Sequence, residues 1–232
     1  MHARVTPPIP IETLLLAYRN GIFPMSDGRD DEEVFWVEPK ERAIIPLDRF
    51  HCSRSLRKVL ASGRFEVTCN RDFAAVIEAC AEPRPGHPES WISQPIMASY
   101  RALHLEGHAH SLEVWCEGDL VGGLYGVAFD SVFCGESMFS RTDNASKVAL
   151  AWLVAALRNG GYRLLDCQFM TDHLATLGAV AMPQADYLLL LHEARKLAAA
   201  PLPLAYSSLL AAAEGSAVAP GKLIAQSFTQ TS

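Results

Sequence analysis

Three polar side chains stand among large apolar residues between Gly122 and Gln168, and they are the first candidates for chemistry. Glu136 lies in the run FCGESMFS, and Asp166 and Gln168 close the short apolar run RLLDCQ. Carboxylates rarely occupy such surroundings unless they are paired or used. A satisfied core acid that only pins a loop is the alternative, but three polar groups in one hairpin–helix–strand unit favour a functional site.

The elements that must position these residues follow from the pattern of apolar and turn residues. Two runs rich in Val, Phe and Tyr, 121–129 and 132–139, flank an Asp-Ser turn signal and predict a hairpin. A helix with an apolar face begins after Asn144 or Ser146 and ends at a pair of glycines. The chain then enters the short, apolar strand 163–168.

Along the whole chain, the order of helices and strands is typical of an α+β fold with a mixed sheet flanked by helices. We expect a small N-terminal domain over residues 1–60 and a catalytic domain over residues 61–232. A mixed sheet can splay between two neighbouring strands, and the strand ending in Asp166 and the hairpin carrying Glu136 are the expected sides of that cleft. The tail after about residue 200 is rich in Ala, Ser, Pro and Gly and is expected to be loosely attached.

The charge is unevenly distributed along the chain. The net charge of the 232 residues is −6, which argues against a general nucleic-acid binder. Residues 40–71, however, contain eight Lys or Arg and three Asp or Glu, so a basic segment lies in an acidic protein. Such a segment can attract a polyanion locally, although an ordinary solvated helix face would have the same composition.

Composition also bears on location and cofactors. No apolar run reaches the roughly 18 residues that a membrane span needs, and the N-terminus lacks the apolar core of a signal peptide, so we expect a cytoplasmic protein. The six cysteines are scattered and form no CxxC pair, which indicates neither a disulfide scaffold nor a zinc site. We therefore expect no metal and no cofactor.

Several strings occur in the same order as in a known enzyme family. They are YRNGIFP at 18–24, LVGGLYGV at 120–127, FCGESMFSR at 133–141, NASKVAL at 144–150, LLDCQ at 164–168 and HLATLGA at 173–179. Together they resemble the leucyl/phenylalanyl-tRNA–protein transferases over most of the chain. The resemblance implies a bacterial enzyme that moves leucine or phenylalanine from aminoacyl-tRNA to proteins with an N-terminal Arg or Lys, which marks them for N-end-rule degradation. It also implies that the larger domain is similar to the GCN5-related acetyltransferases.

The resemblance assigns roles to individual residues. Asp166 and Gln168 match the family's catalytic acid and amide, and Glu136 matches a carboxylate at the reaction centre. The residues matched to the walls of the aminoacyl pocket are Phe133, Met138 and Leu124. Those expected at the tRNA 3′ end are Trp36, Trp91, Tyr100 and Met25, and those in the segment implied to hold the acceptor stem are Arg54, Arg57 and Lys58.

Three positions depart from the pattern of the family. Met25 stands where relatives often carry Trp, which would weaken stacking on a base. Val37-Glu38-Pro39 replaces a common Ser-Pro, and Gln184 replaces an arginine that often follows the late Ile-Pro. These changes concern the contacts to tRNA and the pocket, and they leave the reaction centre unaffected.

The implied reaction needs positioning and proton transfer. The ester is already activated, so aminolysis runs downhill without ATP. The attacking amine must lose a proton, and we expect Asp166 to provide the basicity because the amide of Gln168 is not a strong base. Glu136 is expected either to orient the amine or to bind the basic side chain of the acceptor. A flexible apolar lining that includes Met138 suits both leucine and phenylalanine.

Two other functions are weighed beside this one. An acetyl-CoA-dependent acetyltransferase would need a glycine-rich pyrophosphate loop, and residues 140–147 contain no glycine. A non-catalytic adaptor that binds tRNA or basic N-termini would not need the strings around Glu136 and Asp166. A monomer is the default expectation, and the sequence does not separate a preference for leucine from one for phenylalanine.

Overall fold

The computed structural model describes residues 7–83 and 90–229. Its helices are α1 (Ile11–Arg19), α2 (Arg54–Ala61), α3 (Phe73–Ala81), α4 (Gln94–Leu105), α5 (Ala145–Gly160), α6 (Asp172–Ala175), α7 (Gln184–Ala194), α8 (Leu202–Gly215) and α9 (Pro220–Ser227). Its strands are β1 (Phe23–Met25), β2 (Phe35–Val37), β3 (Glu41–Ile44), β4 (Glu66–Cys69), β5 (Ala109–Cys116), β6 (Asp119–Phe129), β7 (Val132–Ser140), β8 (Leu164–Gln168) and β9 (Val180–Pro183). In these two ranges, no helix is both long enough and apolar enough to cross a membrane.

Two sheets organise these elements. β1 and β2 form a small antiparallel pair near the N-terminus. The other seven strands form one sheet in the order β4-β5-β6-β7-β8-β3-β9, in which β7 and β8 run parallel and the other neighbours run antiparallel. This confirms the predicted α+β fold with a small N-terminal part and a mixed sheet flanked by helices. β9, which extends the sheet beyond β3, is not among the strands predicted from the sequence.

Each face of the large sheet carries its own hydrophobic core. α5 lies across one face together with α2, α8 and α9. α1, α3, α4 and α7 cover the other face. Because successive residues of a strand point to opposite faces, the side chains of β6, β7 and β8 are divided between these two cores.

Side-chain caps account for where some helices begin. Asp72 precedes α3, and its carboxylate accepts a hydrogen bond from the N–H of Ala75 at 2.9 Å. Asn144 lies at the predicted cap of α5, but it adopts a left-handed conformation and makes no side-chain cap hydrogen bond. Ser140 caps the first turn of α5 instead, because its Oγ accepts a hydrogen bond from the N–H of Ser146 at 3.2 Å. The start of α5 is thus held to the end of β7.

The C-terminal segment differs from its prediction. We expected a loosely attached tail, but α8 packs on α5 and α9 packs on α2. Leu202 has no exposed surface, and the hydroxyl of Tyr206 donates to the carbonyl oxygen of Val67 at 2.6 Å. The ring of Phe228 lies 5.0 Å from that of Phe50. Alanine is the strongest helix former, so the composition that suggested a loose tail also suits two packed helices.

The large sheet splays where the candidate polar residues lie. β7 and β8 pair from Val132 opposite Leu164 to Cys134 opposite Asp166, and the pairing ends there. β7 then continues beside β6 as far as Ser140, while β8 remains paired with β3. The predicted cleft between these two strands is therefore present.

Candidate active site

A cavity of about 580 Å³ opens at the splay between β7 and β8. It has a size typical of small-molecule sites, and it can hold an isobutyl or a benzyl group. Its aliphatic and thioether lining comes from Leu124, Met138, Leu150, Leu153, Leu165 and Leu174. Polar side chains also line it, among them those of Glu136, Gln168 and His173.

A β-bulge in β7 displaces Glu136 from the regular alternation of the strand. Gly135 pairs with Gly126 and Ser137 pairs with Tyr125, so Glu136 is the extra residue. Gly126 is required opposite the bulge, because a Cβ there would lie 2.3 Å from a carbonyl oxygen of β7. Bulges re-aim side chains, and this bulge sets the direction of the Glu136 carboxyl group.

A second bulge lies across the cleft in β8. Ile44 pairs with Asp166 and Ala43 pairs with Gln168, so Cys167 is the extra residue. Gln168 has φ of 62°, a left-handed conformation that is uncommon outside glycine. As a result, Cys167 and Gln168 both line the cavity, whereas a regular strand would place them on opposite faces.

Glu136 is 8% exposed and accepts hydrogen bonds from two buried tyrosines. The hydroxyl of Tyr18 on α1 donates to Oε1 at 2.7 Å, and the hydroxyl of Tyr100 on α4 donates to Oε2 at 2.9 Å. The two hydroxyl groups also contact each other. Burial raises the pKa of Glu136 to about 7, although the side chains of Tyr18, Gln168 and Tyr100 act in the opposite direction. A carboxyl group with a pKa near neutrality is suited to proton exchange.

Asp166 lies beneath the cavity and has no exposed surface. The guanidinium of Arg42 donates from Nε to Oδ1 at 2.8 Å and from Nη2 to Oδ2 at 2.5 Å. The backbone N–H of Gln168 donates to Oδ1 at 2.8 Å, and the hydroxyl of Tyr187 donates to Oδ2 at 3.0 Å. Each carboxylate oxygen therefore accepts two hydrogen bonds. The one from the N–H of Gln168 fixes the backbone of the β8 bulge.

Arg42 also joins the N-terminal part of the chain to this site. Its Nη1 donates to the carbonyl oxygen of Gly21 at 3.0 Å, and Nε2 of Gln184 donates to the same oxygen at 3.3 Å. The guanidinium carbon lies 4.8 Å from the ring centre of Phe23 and 4.5 Å from that of Tyr187. Contacts of this kind are attractive because the ring face is negative. The apolar segment that begins at Gly21 is thus held beside β8.

Three buried polar atoms of the lining residues lack hydrogen-bond partners among the described residues: Nε2 of Gln168, Nε2 of His173 and the hydroxyl of Tyr125. The Gln168 amide lies near Glu136 and lowers the pKa of that carboxyl group. Its nitrogen, however, does not meet the geometry of a hydrogen bond to Glu136. Burial lowers the pKa of His173, and the ammonium of Lys147 lowers it further. Buried polar atoms are nearly always paired in native proteins, so these three atoms are left to pair with solvent or with a bound ligand.

The residues expected in the aminoacyl pocket are divided by the splay. Leu124 and Met138 pair across β6 and β7, and both line the cavity. Phe133 is fully buried and is not one of the described lining residues. It pairs with Leu165 before β7 and β8 separate, so its ring fills the core beneath α5. The sequence did not reveal that α5 supplies two leucines to the wall.

The residues expected at the tRNA 3′ end lie in different surroundings. Trp91 lines the cavity. Trp36 on β2 is 44% exposed and Met25 on β1 is half-buried, and neither belongs to the described lining residues. Tyr100 has no exposed surface on which a base could stack, because it lies with Leu103 on the buried face of α4. The structure thus gives Tyr100 a different place, as a hydrogen-bond donor to Glu136.

The basic residues expected at the acceptor stem lie along a second cavity. Arg54 and Arg57 on α2 line a cleft of about 460 Å³ together with His51 and a single carboxylate, that of Asp48. Lys58 is exposed on the same helix. Within residues 7–83 and 90–229, no carboxylate forms a salt bridge with these three cations. Their charge is available for an anionic partner.

Three of the residues that hold the two carboxylates are not predicted from the sequence, namely Arg42, Tyr18 and Tyr187. One signal was available: Arg42 is a cation directly before the apolar run AII, and a cation in a buried strand needs a partner. The tyrosines gave no comparable signal, since a tyrosine on an apolar helix face is usually core. In the described ranges, no three His, Cys, Asp or Glu side chains lie close enough to hold one metal ion.

Comparisons with known proteins agree with the sequence strings. Residues 44–192 match the family described as leucyl/phenylalanyl-tRNA protein transferase, and residues 8–40 match its N-terminal domain. The two matches meet near residue 40, whereas we expected the domain boundary near residue 60.

Several curated proteins named leucyl/phenylalanyl-tRNA–protein transferase are similar to the chain. That of Novosphingobium aromaticivorans is 56% identical, with 97% of both chains covered. That of Zymomonas mobilis is 61% identical over 75% of this chain and 65% of its own, and that of Rhizorhabdus wittichii is 57% identical over 79% and 74%. A solved C-terminal domain described as that of a lysylphosphatidylglycerol synthetase from Agrobacterium fabrum covers 86% of this chain and 70% of its own at 11% identity, with a TM-score of 0.38. That likeness is too distant to carry an argument, so the similarity to GCN5-related acetyltransferases stays a prediction.

Proposed function

The chain belongs to the leucyl/phenylalanyl-tRNA–protein transferase family, and we propose that the cavity at the splay is where it transfers the amino acid. In this reaction an amine nitrogen of a protein attacks the ester carbonyl carbon of leucyl- or phenylalanyl-tRNA. A C–N bond forms and the C–O bond to the terminal ribose breaks. The amine loses a proton, and the ribose oxygen gains one. The observation that carries the proposal is the unpartnered buried amide of Gln168, beside Glu136, in an apolar cavity.

The apolar part of the cavity binds the transferred side chain. Leu124 and Met138 on the sheet face Leu150 and Leu153 on α5 across it. Burying a leucine or phenylalanine side chain is worth roughly 1.5–3 kcal/mol, and an apolar pocket distinguishes side chains by only about 1–3 kcal/mol per methylene. A pocket of this composition therefore accepts both amino acids and excludes polar ones.

Gln168 stabilises the ester oxygen during attack. Its Nε2 is a donor that has no partner among the described residues, and the side chain lines the cavity. The backbone N–H of Gln168 donates to Oδ1 of Asp166 at 2.8 Å, which fixes the backbone from which this side chain extends. A donor fixed in advance does not need to reorganise when negative charge develops on the carbonyl oxygen. In this arrangement Asp166 acts through Gln168 and is a positioning residue.

Glu136 handles the proton of the attacking amine. Its pKa of about 7 lies close to that of a peptide α-amine, about 7.7–8.0, so a proton passes between the two groups at little cost. Asp166, which we expected to supply the basicity, is occupied by four donors and lies beneath the cavity. The assignment of the base therefore moves from Asp166 to Glu136.

The acceptors begin with Arg or Lys, and the enzyme works as a cytoplasmic monomer on tRNA that is charged in the same compartment. The support for this part is the match of the strings around Glu136 and Asp166 to the family. Arg54, Arg57 and Lys58 provide a sequence-independent contact to the acceptor stem, which suits an enzyme that serves several isoacceptor tRNAs.

The test is a transfer assay with radiolabelled Phe-tRNA and short peptides. Peptides that begin with Arg or Lys should acquire label, and matched peptides that begin with Gly or carry an acetylated N-terminus should not. If the folded protein bound Phe-tRNA but labelled none of these peptides, the adaptor function would be favoured. Labelling of the peptides by acetyl-CoA in place of Phe-tRNA would favour the acetyltransferase.

A further inference from the structure

His173 is a titratable residue of the cavity wall to which the proposed mechanism assigns no role. It follows β8 by five residues, lies at the start of α6, and its Nε2 is buried without a partner among the described residues. The transferred leucine or phenylalanine side chain has no polar group that could pair with it. The acceptor amine is assigned to Glu136, and the ester carbonyl oxygen is assigned to Gln168. The polar groups that remain without an assigned partner are the α-amine of the transferred residue, the basic side chain of the acceptor and the hydroxyl groups of the terminal ribose.

The position of Lys147 distinguishes among these groups. This residue in the first turn of α5 is close enough to lower the pKa of His173, and it forms no ion pair with a described residue. An unpaired cation attracts the phosphate of the terminal nucleotide. The same cation repels a protonated α-amine or a basic acceptor side chain, so the uncharged hydroxyl groups of the ribose are the groups that suit His173.

We propose that Nε2 of His173 hydrogen-bonds the free 2′-hydroxyl of the terminal ribose, next to the 3′-ester, and so orients the ester toward Gln168. The inference rests on the proposed function, because it assumes that aminoacyl-tRNA occupies this cavity. The neutral imidazole has one donor and one acceptor nitrogen, and a hydroxyl group can pair with either. The contact also lets the enzyme recognise an RNA end, since a 2′-hydroxyl is what distinguishes RNA from DNA.

A double-mutant cycle with a modified substrate tests this contact. The substrates are Phe-tRNA ending in adenosine and Phe-tRNA ending in 2′-deoxyadenosine, both esterified at the 3′-oxygen. The enzymes are the wild type and His173→Phe, which removes the nitrogens and keeps a ring. Each single change should lower kcat/KM about tenfold, the factor typical of one hydrogen bond. Both changes together should cost little more than one of them, because the same contact is removed twice.

A loss of about a hundredfold for the combined change would show independent effects and overturn the proposal. His173→Gln places an amide nitrogen near the position of Nε2. Compared with His173→Phe, it should regain part of the activity on the adenosine substrate and should again distinguish that substrate from the 2′-deoxyadenosine substrate. If His173→Phe failed to fold, as judged by its thermal midpoint, the same cycle would be run with His173→Ala, where discrimination against 2′-deoxyadenosine as large as that of the wild type would overturn the proposal. His192→Phe, at an exposed position of α7, is the matched control and should leave kcat/KM for both substrates unchanged.

Transfer by the wild type on the adenosine substrate tests the proposed function separately from the result of the cycle.

Discussion

The guanidinium of Arg42 holds both carboxylate oxygens of Asp166, at 2.8 and 2.5 Å, and neither side chain has any exposed surface. The pair links β3 to β8 and lies directly under the bulge that presents Gln168. Charged groups buried in this way are stable because they satisfy each other. Asp166 thereby anchors the backbone of Gln168, which supports the positioning role proposed for this acid.

Removal of one partner of this pair should be costly. We expect Arg42→Met to lower the free energy of unfolding by about 3–5 kcal/mol, because Asp166 would be left as an unpaired buried charge. Urea unfolding followed by circular dichroism measures the change. The double variant Arg42→Met/Asp166→Asn should recover a large part of the loss. Arg71→Ala, which removes an exposed ion pair with Glu66, should leave the midpoint almost unchanged.

Gln168 should matter for catalysis and little for stability. Its Nε2 has no partner among the described residues, so Gln168→Ala removes no described side-chain hydrogen bond from that nitrogen. We expect kcat for phenylalanyl transfer to fall about 10²- to 10³-fold, as for loss of one oxyanion donor, while the thermal midpoint stays within a few degrees of the wild type. Gln226→Ala, at an exposed position, is the control. Full activity of Gln168→Ala would contradict the role assigned to the amide.

The pH dependence of transfer should report on Glu136. Its pKa is about 7, and the ionised form is the one that accepts a proton, so kcat/KM should rise as the pH passes upward through about 7. The hydrogen bond from Tyr18 stabilises the ionised form. Tyr18→Phe should therefore move the rise to higher pH, by roughly one unit for a charge-assisted hydrogen bond.

Titration of the acceptor amine is the same for both enzymes, so the difference between the two profiles isolates Glu136. Glu136→Gln should lose the part of the rise that belongs to Glu136 and keep only the part that belongs to the acceptor amine, whose pKa is about 7.7–8.0. An unchanged midpoint in Tyr18→Phe would mean that another group controls the profile.

The pocket should discriminate by size once it is made smaller. Leu124 lines the cavity and Phe133 does not belong to its described lining. We expect Leu124→Phe to lower kcat/KM for phenylalanine at least tenfold more than for leucine, because the larger substrate loses its space. Phe133→Leu should reduce stability but leave the ratio of the two substrates unchanged. Competition between Leu-tRNA and Phe-tRNA gives the ratio directly.

The basic residues of α2 should set the salt dependence of tRNA binding. Arg54 and Arg57 line the second cavity without a described salt-bridge partner. Each change to Ala should weaken tRNA binding and reduce the slope of log Kd against log salt by about 1. Arg163→Ala, at the opposite end of β8 from Gln168, should leave the slope unchanged. An equal effect at Arg163 would indicate a general charge effect instead of a local contact.

Much of the site followed from local sequence. Apolar runs and a turn signal predicted the hairpin of β6 and β7, and glycines marked the end of α5. The unusual position of Glu136, Asp166 and Gln168 in apolar strands identified them as candidates, and all three lie at the splay or directly beneath it. These features are readable because hydrophobic period, turn residues and polar groups in apolar runs depend on neighbours along the chain.

Only the tertiary structure decided which partner each candidate has. Arg42 reaches Asp166 across 124 positions, and Tyr18 reaches Glu136 across 118. Such contacts fix whether a carboxylate is a saturated anchor or a group with a pKa near 7, and no local pattern contains them.

The two bulges show the same limit. Glu136 and Cys167 are extra residues only relative to strands β6 and β3, so their displacement is a property of register between strands. The sequence determined which chemical groups this protein has and which elements carry them. The pairing of distant strands decided which of those groups face the cavity, because the direction of a side chain depends on how its strand is paired.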